Sequence, residues 1–468
     1  MHSSPSPARK TSPQAAAGLG PRLAGWASGL RYEDIPDSAV QSAKRLLLDT
    51  LAVAWAGSNA DGIASLQGYA TKQGGAPQSR LWATGSHVPA PQAALVNGAM
   101  AAALDFDSVH DVATVHADIV VVPAVLAVAE AEDLNGREFL AAYIAGDELL
   151  VRLGLAITTH PGWFYTSALG VFAAAAAAGR ALRLDQKGVS NAMGVALSRA
   201  AGTQQALVER ATTKRLQSAF AARDGVEAAL LAQCGVTAPA QMFDGQCGFE
   251  SLYTALDHGR IVGGLGEAYL FSSLTLKKYA SCFCNHAAIE ATLELVTRQR
   301  VKAADVESAS VRISPFMARL VGAEFSPGDN PQVSAQFSVQ YSVASALLRE
   351  RFAVADIHPD AVSDAEVIAL ARRVRVEIDP SQSGKFVPAT VTVRTREGRQ
   401  FVATANALPG TPEQPLSDDE HRAKIAGCFA SGARPMPPKQ VEALLERIQS
   451  LETLASMRDL WNPEQEPR

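Results

Sequence analysis

The chain has 468 residues, 47% of them hydrophobic and 19% charged, with a formal net charge of −5. That balance, with no basic run and no stripe of arginines and aromatics, argues against a nucleic-acid partner, and every long apolar stretch is broken by His, Pro, Gly or charge before it reaches membrane-spanning length. Five scattered cysteines rule out a disulfide scaffold and fit a reducing, cytoplasmic setting, while Cys282-Phe283-Cys284 lacks the spacing of a metal site.

The opening MHSSPSPARKTSPQ is basic and rich in Ser and Pro, so residues 1–17 are expected to be a disordered tail. Helical patterning then begins. Val40, Ala43, Leu47, Leu51 and Ala54 recur at helical spacing, and Gly57 is placed to end that helix. Residues 79–83 read as a short strand or extended entry. A helix rich in small residues follows Pro91 and runs into LDFDSVHDVATVHADIVVVP, where Asp105, Asp107, Asp111, Asp118, His110 and His116 crowd together.

Beyond that stretch come DIVVVPAVLAVAEAEDLN, GREFLAAYIAGDELLVRLGLAI and SALGVFAAAAAAGRALRLD, three more helices whose composition demands tight packing. Glu148 and Arg152 are spaced i,i+4 for a structural ion pair. Lys214 and Arg215 open a further helix, where a cation sits poorly against the helix dipole. They are either solvated surface groups or a lure for an anionic ligand.

The character changes at Gly263-Gly264-Leu265-Gly266, read as a hinge and not as a dinucleotide fingerprint. ESASVRIS, RVRVEID, ATVTVRT and RQFVATA alternate with period two, as half-exposed strands do, with Gly398 at a hairpin turn. Helices over residues 335–349 and 364–373 interleave with them. The tail returns to helix, with Ser417 and Glu420 spaced as a capping box. The fold expected is mainly α: a large all-helical domain built from both chain ends (residues 18–270 and 406–460) plus a smaller α+β lid domain (residues 271–405).

The acidic and histidine-rich stretch is either a helix-capping loop or proton-transfer machinery, since carboxylates and imidazoles move protons near neutral pH. If the two domains close on each other, that stretch faces Lys214, Lys277, Lys278 and Tyr341. Cations opposite such groups suit a small polycarboxylate. Elimination of water, decarboxylation and epimerisation beside a carboxylate all need this equipment.

AKRLLLDTLAVAWAG, LVNGAMAAALDFDSVHD, HADIVVVPAVLAVAE, TKRLQSAFAARDGVEAALLA, LKKYASCFCNHAAIEATLEL, AQFSVQYSVASALL and PGTPEQPLSDDEHRAK form seven collinear blocks. Through them the chain resembles the MmgE/PrpD family, which includes 2-methylcitrate dehydratase, cis-aconitate decarboxylase and iminodisuccinate epimerase. The resemblance implies a homodimer with a cleft that uses no metal or organic cofactor. It also implies a site in which Lys214 and Lys277 bind substrate carboxylates, His116 moves the proton, Asp105 orients that imidazole and Tyr341 donates from the lid. The leading expectation is a 2-methylcitrate dehydratase-like hydro-lyase. A decarboxylase or epimerase of a related acid is the alternative. Val109 stands where many members have threonine, and Phe164 where they have a histidine. His160, Tyr165 and His110 are candidates to substitute for that imidazole. The Phe164 departure also leaves open a member that binds a carboxylate without turning it over.

Overall fold

A computed structural model describes residues 18–461, so the tail expected over residues 1–17 lies outside the described residues. The main helices of the first half are α1 (Leu19–Gly29), α2 (Asp37–Gly57), α3 (Ala90–Ala102), α4 (Asp118–Ala131), α5 (Gly136–Leu155), α6 (Gly170–Ala181), α7 (Gln186–Leu197) and α8 (Thr213–Gln233). The extended entry near residue 79 is a two-residue hairpin, β1 (Ser79–Arg80) antiparallel to β2 (His87–Val88).

Composition explains the depth at which each helix lies. α4 is apolar around its whole circumference and is buried from Asp118 to Glu130, as a helix without a polar face must be. α8 crosses the alanine run of α6 so closely that a methyl at Gly225 would come within 2.4 Å of Ala174 Cβ. α3 and α5 complete the layer around α4. Among the described residues, no helix is long and apolar enough to cross a membrane.

The Glu148–Arg152 pair forms as spaced, at 2.6 Å, with both side chains fully buried. The Arg152 guanidinium also donates to the carbonyls of Ile261, Gly263, Gly264 and Ala268 at 2.7–3.1 Å. The expected glycine hinge is therefore a turn clamped from below.

Past this turn, β3 (Val306–Ile313), β4 (Val374–Ile378), β5 (Ala389–Thr395) and β6 (Gln400–Ala405) form one sheet in the order β4-β3-β5-β6. β3 and β4 run parallel, and the other neighbours are antiparallel. Gly398 makes the β5–β6 turn at φ +81°, a region L-residues avoid. α9 (His286–Thr297) covers β5 and β6, and α10 (Val339–Arg349) packs on α9. The single helix expected over residues 335–349 is in fact two. Ser338 breaks it, its hydroxyl accepting from the Tyr341 N–H at 3.2 Å as an N-cap.

α11 (Asp418–Ser431) starts on the expected Ser417/Glu420 capping box and packs on α2, and α12 (Pro438–Gln449) follows it. Lys424 reaches Asp49 at 2.7 Å, and Lys44 donates to the Gln449 carbonyl at 2.7 Å. Helices from the two chain ends thus lie together.

Candidate active site

The loop between α3 and α4 is held by its backbone. Val109 and Thr275 exchange N–H···O bonds of 3.0 and 2.8 Å, so Lys277, two residues on, comes to rest against Asp105. Asp105 adopts φ +50°, a left-handed conformation that aspartate tolerates better than most residues. Lys277 Nζ donates to both its carbonyl (2.8 Å) and its carboxylate Oδ2 (3.1 Å). Lys214, in the first turn of α8, donates to the other carboxylate oxygen, Oδ1.

Charge decides the protonation of this group. Burial disfavours ionised Asp105, but Lys214 and Lys277 together outweigh it and hold the carboxyl far below the usual range. Burial likewise works against the Lys277 ammonium, and Asp105 with Asp107 (3.8 Å) more than restores it. Each ammonium has three N–H donors. Lys214 spends one on Asp105, which leaves two for a ligand.

The imidazole of His116 is oriented by Asp107, not by Asp105. Its Nδ1 lies 2.6 Å from Asp107 Oδ2, while the His116 N–H donates to Thr166 Oγ1 at 3.1 Å. Burial opposes the Asp107 charge, and His116 and Lys277 override it to lower the carboxyl. Asp105 is occupied by the two lysines, which corrects the role expected of it. Behind this wall, Ser108 and Tyr143 donate to Asp118, and burial raises both the Asp118 and Asp147 carboxyls.

Tyr341 is a second correction. Its ring is fully buried, its hydroxyl donates to the Asp356 carbonyl, and it does not line the cleft. Its position on the apolar face of α10 makes it a core residue.

Asp105, His116, Lys214 and Lys277 open together onto a cavity of about 420 Å³. Phe164 lines it, as does His160, whose burial lowers its pKa. His110 does not line it: its Nε2 meets Ser273 Oγ at 3.1 Å. Tyr165 lines the cleft but donates its hydroxyl to the Thr159 carbonyl at 3.0 Å. Of the three candidate substitutes, His160 is the imidazole that lines the wall.

Arg319 and Lys385, from the α+β half of the chain, also line the cavity, and sequence reasoning missed both. Lys385 donates to the Val112 carbonyl at 3.1 Å, bringing the β4–β5 connection onto the acidic loop. The only signal for it in the sequence is a lysine beside Gly384 in a loop. Among the described residues, the charged lining is thus four cations, Lys214, Lys277, Arg319 and Lys385, against the carboxylate of Asp105.

An oriented imidazole beside paired ammoniums, in a cleft with an excess of cations, has the groups needed to move a proton next to a negative charge. Residues 21–258 match the MmgE/PrpD N-terminal domain and residues 279–451 the MmgE/PrpD C-terminal domain, and the chain belongs to the MmgE/PrpD family. It is 28% identical over 488 residues to a cis-aconitate decarboxylase of Aspergillus terreus, with 96% of each chain covered. It is 26% identical over 452 residues to the Mus musculus cis-aconitate decarboxylase, covering 92% of this chain and 90% of the relative. The Homo sapiens cis-aconitate decarboxylase is 25% identical over 442 residues, covering 91% and 90%.

Proposed function

We propose that this protein is a lyase that releases carbon dioxide from a small unsaturated tricarboxylate of the cis-aconitate kind. The observation that carries this is the charge of the cleft: among the described residues four cations line it against one carboxylate, with the His116 imidazole held in place by Asp107. Relatives named for cis-aconitate decarboxylation favour this reaction over the dehydration of a 2-methylcitrate-like acid expected from the sequence.

In the proposed reaction the retained carboxylates accept from the spare donors of Lys214 and Lys277. The carbon–carbon bond to the departing carboxylate breaks, and its electron pair forms a new double bond as the original one shifts. Negative charge then builds on the carbon beside a retained carboxylate, where the ammoniums stabilise it; one such contact contributes a factor of about 10²–10³ in rate. The His116 imidazolium delivers its proton to that carbon and is reprotonated from water. Phe164, an aromatic side chain in the lining, removes water from the departing group and favours loss of its charge.

A panel of unsaturated, hydroxy and amino di- and tricarboxylates incubated in deuterated water and read by NMR tests this. Carbon dioxide release with one deuterium on the product's α-carbon is expected. Loss of water instead would establish the dehydratase reading, and bare α-deuteration an epimerase.

A further inference from the structure

Resting on that reading, we propose that the physiological substrate carries an apolar substituent, an alkyl chain of several carbons, in addition to its carboxylates. Two observations support it. The first is size. A water-sized group needs about 10–15 Å³, so a six-carbon tricarboxylate fills on the order of 150 Å³. The cavity holds about 420 Å³.

The second is the lining. Asp105, His116, Lys214 and Lys277 form one polar wall. Apart from Arg319 and Lys385, the part of the lining contributed by Phe283, Phe316, Phe386, Leu207 and Leu320 is apolar and faces the same space. Three of the aromatics come from separate segments and converge: Phe283 and Phe386 lie 5.0 Å apart, and Phe316 and Phe386 6.0 Å, all edge-on. Phe283 is nearly inaccessible, whereas Phe316 and Phe386 are only half-buried. Carboxylates gain nothing from such a surface. A hydrocarbon chain covers it, and each methylene that becomes fully buried contributes about fourfold in affinity.

Arg319 lies beside this apolar end, its guanidinium 5.3 Å over the Phe316 ring, at the exposed rim. The reacting head therefore faces Lys214, Lys277 and His116, and the tail runs toward Phe316 and Phe386.

The test is a series of cis-aconitates bearing hydrogen, ethyl, butyl or hexyl on one carbon, each also supplied as the hydrated citrate form. kcat/KM is measured on the full chain. The expected result is a rise of at least tenfold from the unsubstituted to the butyl or hexyl acid, with Phe316→Ala lowering that ratio at least fivefold. Turnover of the unsubstituted acid at an equal or higher kcat/KM than every alkylated one would overturn the inference and leave the lyase reading standing. Failure of every acid in both series to react would remove the lyase reading itself, and the inference with it.

Discussion

Asp107 Oδ2 lies 2.6 Å from His116 Nδ1, and this one contact determines which end of the imidazole can work. The carboxylate accepts the Nδ1 proton, so Nε2 is the ring atom left to exchange a proton with substrate. Asp107→Asn preserves shape but lets the ring adopt the other tautomer. kcat should fall by roughly 10²–10⁴-fold with KM within about threefold of the parent. Steady-state kinetics decide this, and a change confined to KM would contradict it.

Lys277 is fully buried and donates twice to Asp105. Lys277→Ala leaves the Asp105 carbonyl without that donor and the carboxylate short of a counter-charge. Breaking a buried pair from one side costs about 3–5 kcal/mol. Urea unfolding should show a loss on that scale, and a change below about 1 kcal/mol would mean that Lys214 alone neutralises Asp105.

Two buried groups give the stability opposite pH slopes. Burial pushes Glu130 up to about 7, although the Arg80 N–H donates to it at 2.6 Å. Its folded form holds a proton that the unfolded form has lost, so stability is full below about pH 4.5 and declines as pH rises toward 7. Glu130→Gln should therefore match the parent near pH 4 and exceed it by up to about 3 kcal/mol at pH 8. For His286, burial first and Lys277 second depress the imidazole to about 3. Its contribution is present above about pH 6.5 and is lost as pH falls toward 3. His286→Phe should flatten that acid limb. Denaturation series at several pH values measure both, and parallel slopes in parent and variants would refute the assignments.

Lys424 on α11 does not line the cleft, yet it touches the loop that builds it. Its Nζ binds Asp49 at 2.7 Å and donates to the Phe106 carbonyl at 3.1 Å, one residue from Asp105. Lys424→Ala should cost about 3–5 kcal/mol and lower kcat as the loop loosens. Thermal unfolding and turnover, run side by side, check this; an unchanged kcat in a clearly destabilised variant would show that the loop holds its shape without α11.

The helices were legible because their apolar periodicity is strong. α4 and α6 could be nothing but buried helices, and the Glu148–Arg152 spacing correctly foretold an ion pair. The role of Arg152 as a clamp on the glycine turn was not legible, because its acceptors are backbone carbonyls more than a hundred residues away, which side-chain identity does not reveal. Asp105 and Asp107 are two residues apart in a loop. With Asp105 in a left-handed backbone, one meets the lysines and the other the imidazole, a division that side-chain identity does not reveal. The resemblance implied a lid donor at Tyr341, and packing makes it a core residue. Arg319 and Lys385 reach the cleft through tertiary folding alone, which leaves no local pattern to read.

The most direct test of the central claim, that His116 moves the proton on a polycarboxylate held by Lys214 and Lys277, is deuterium incorporation during turnover of an unsaturated tricarboxylate by the parent and His116→Ala. The parent should place one deuterium in each product molecule, and the variant should make product at least about a hundredfold more slowly while still binding the acid. Product formed by the variant at the parental rate, with the same deuterium content, would contradict it.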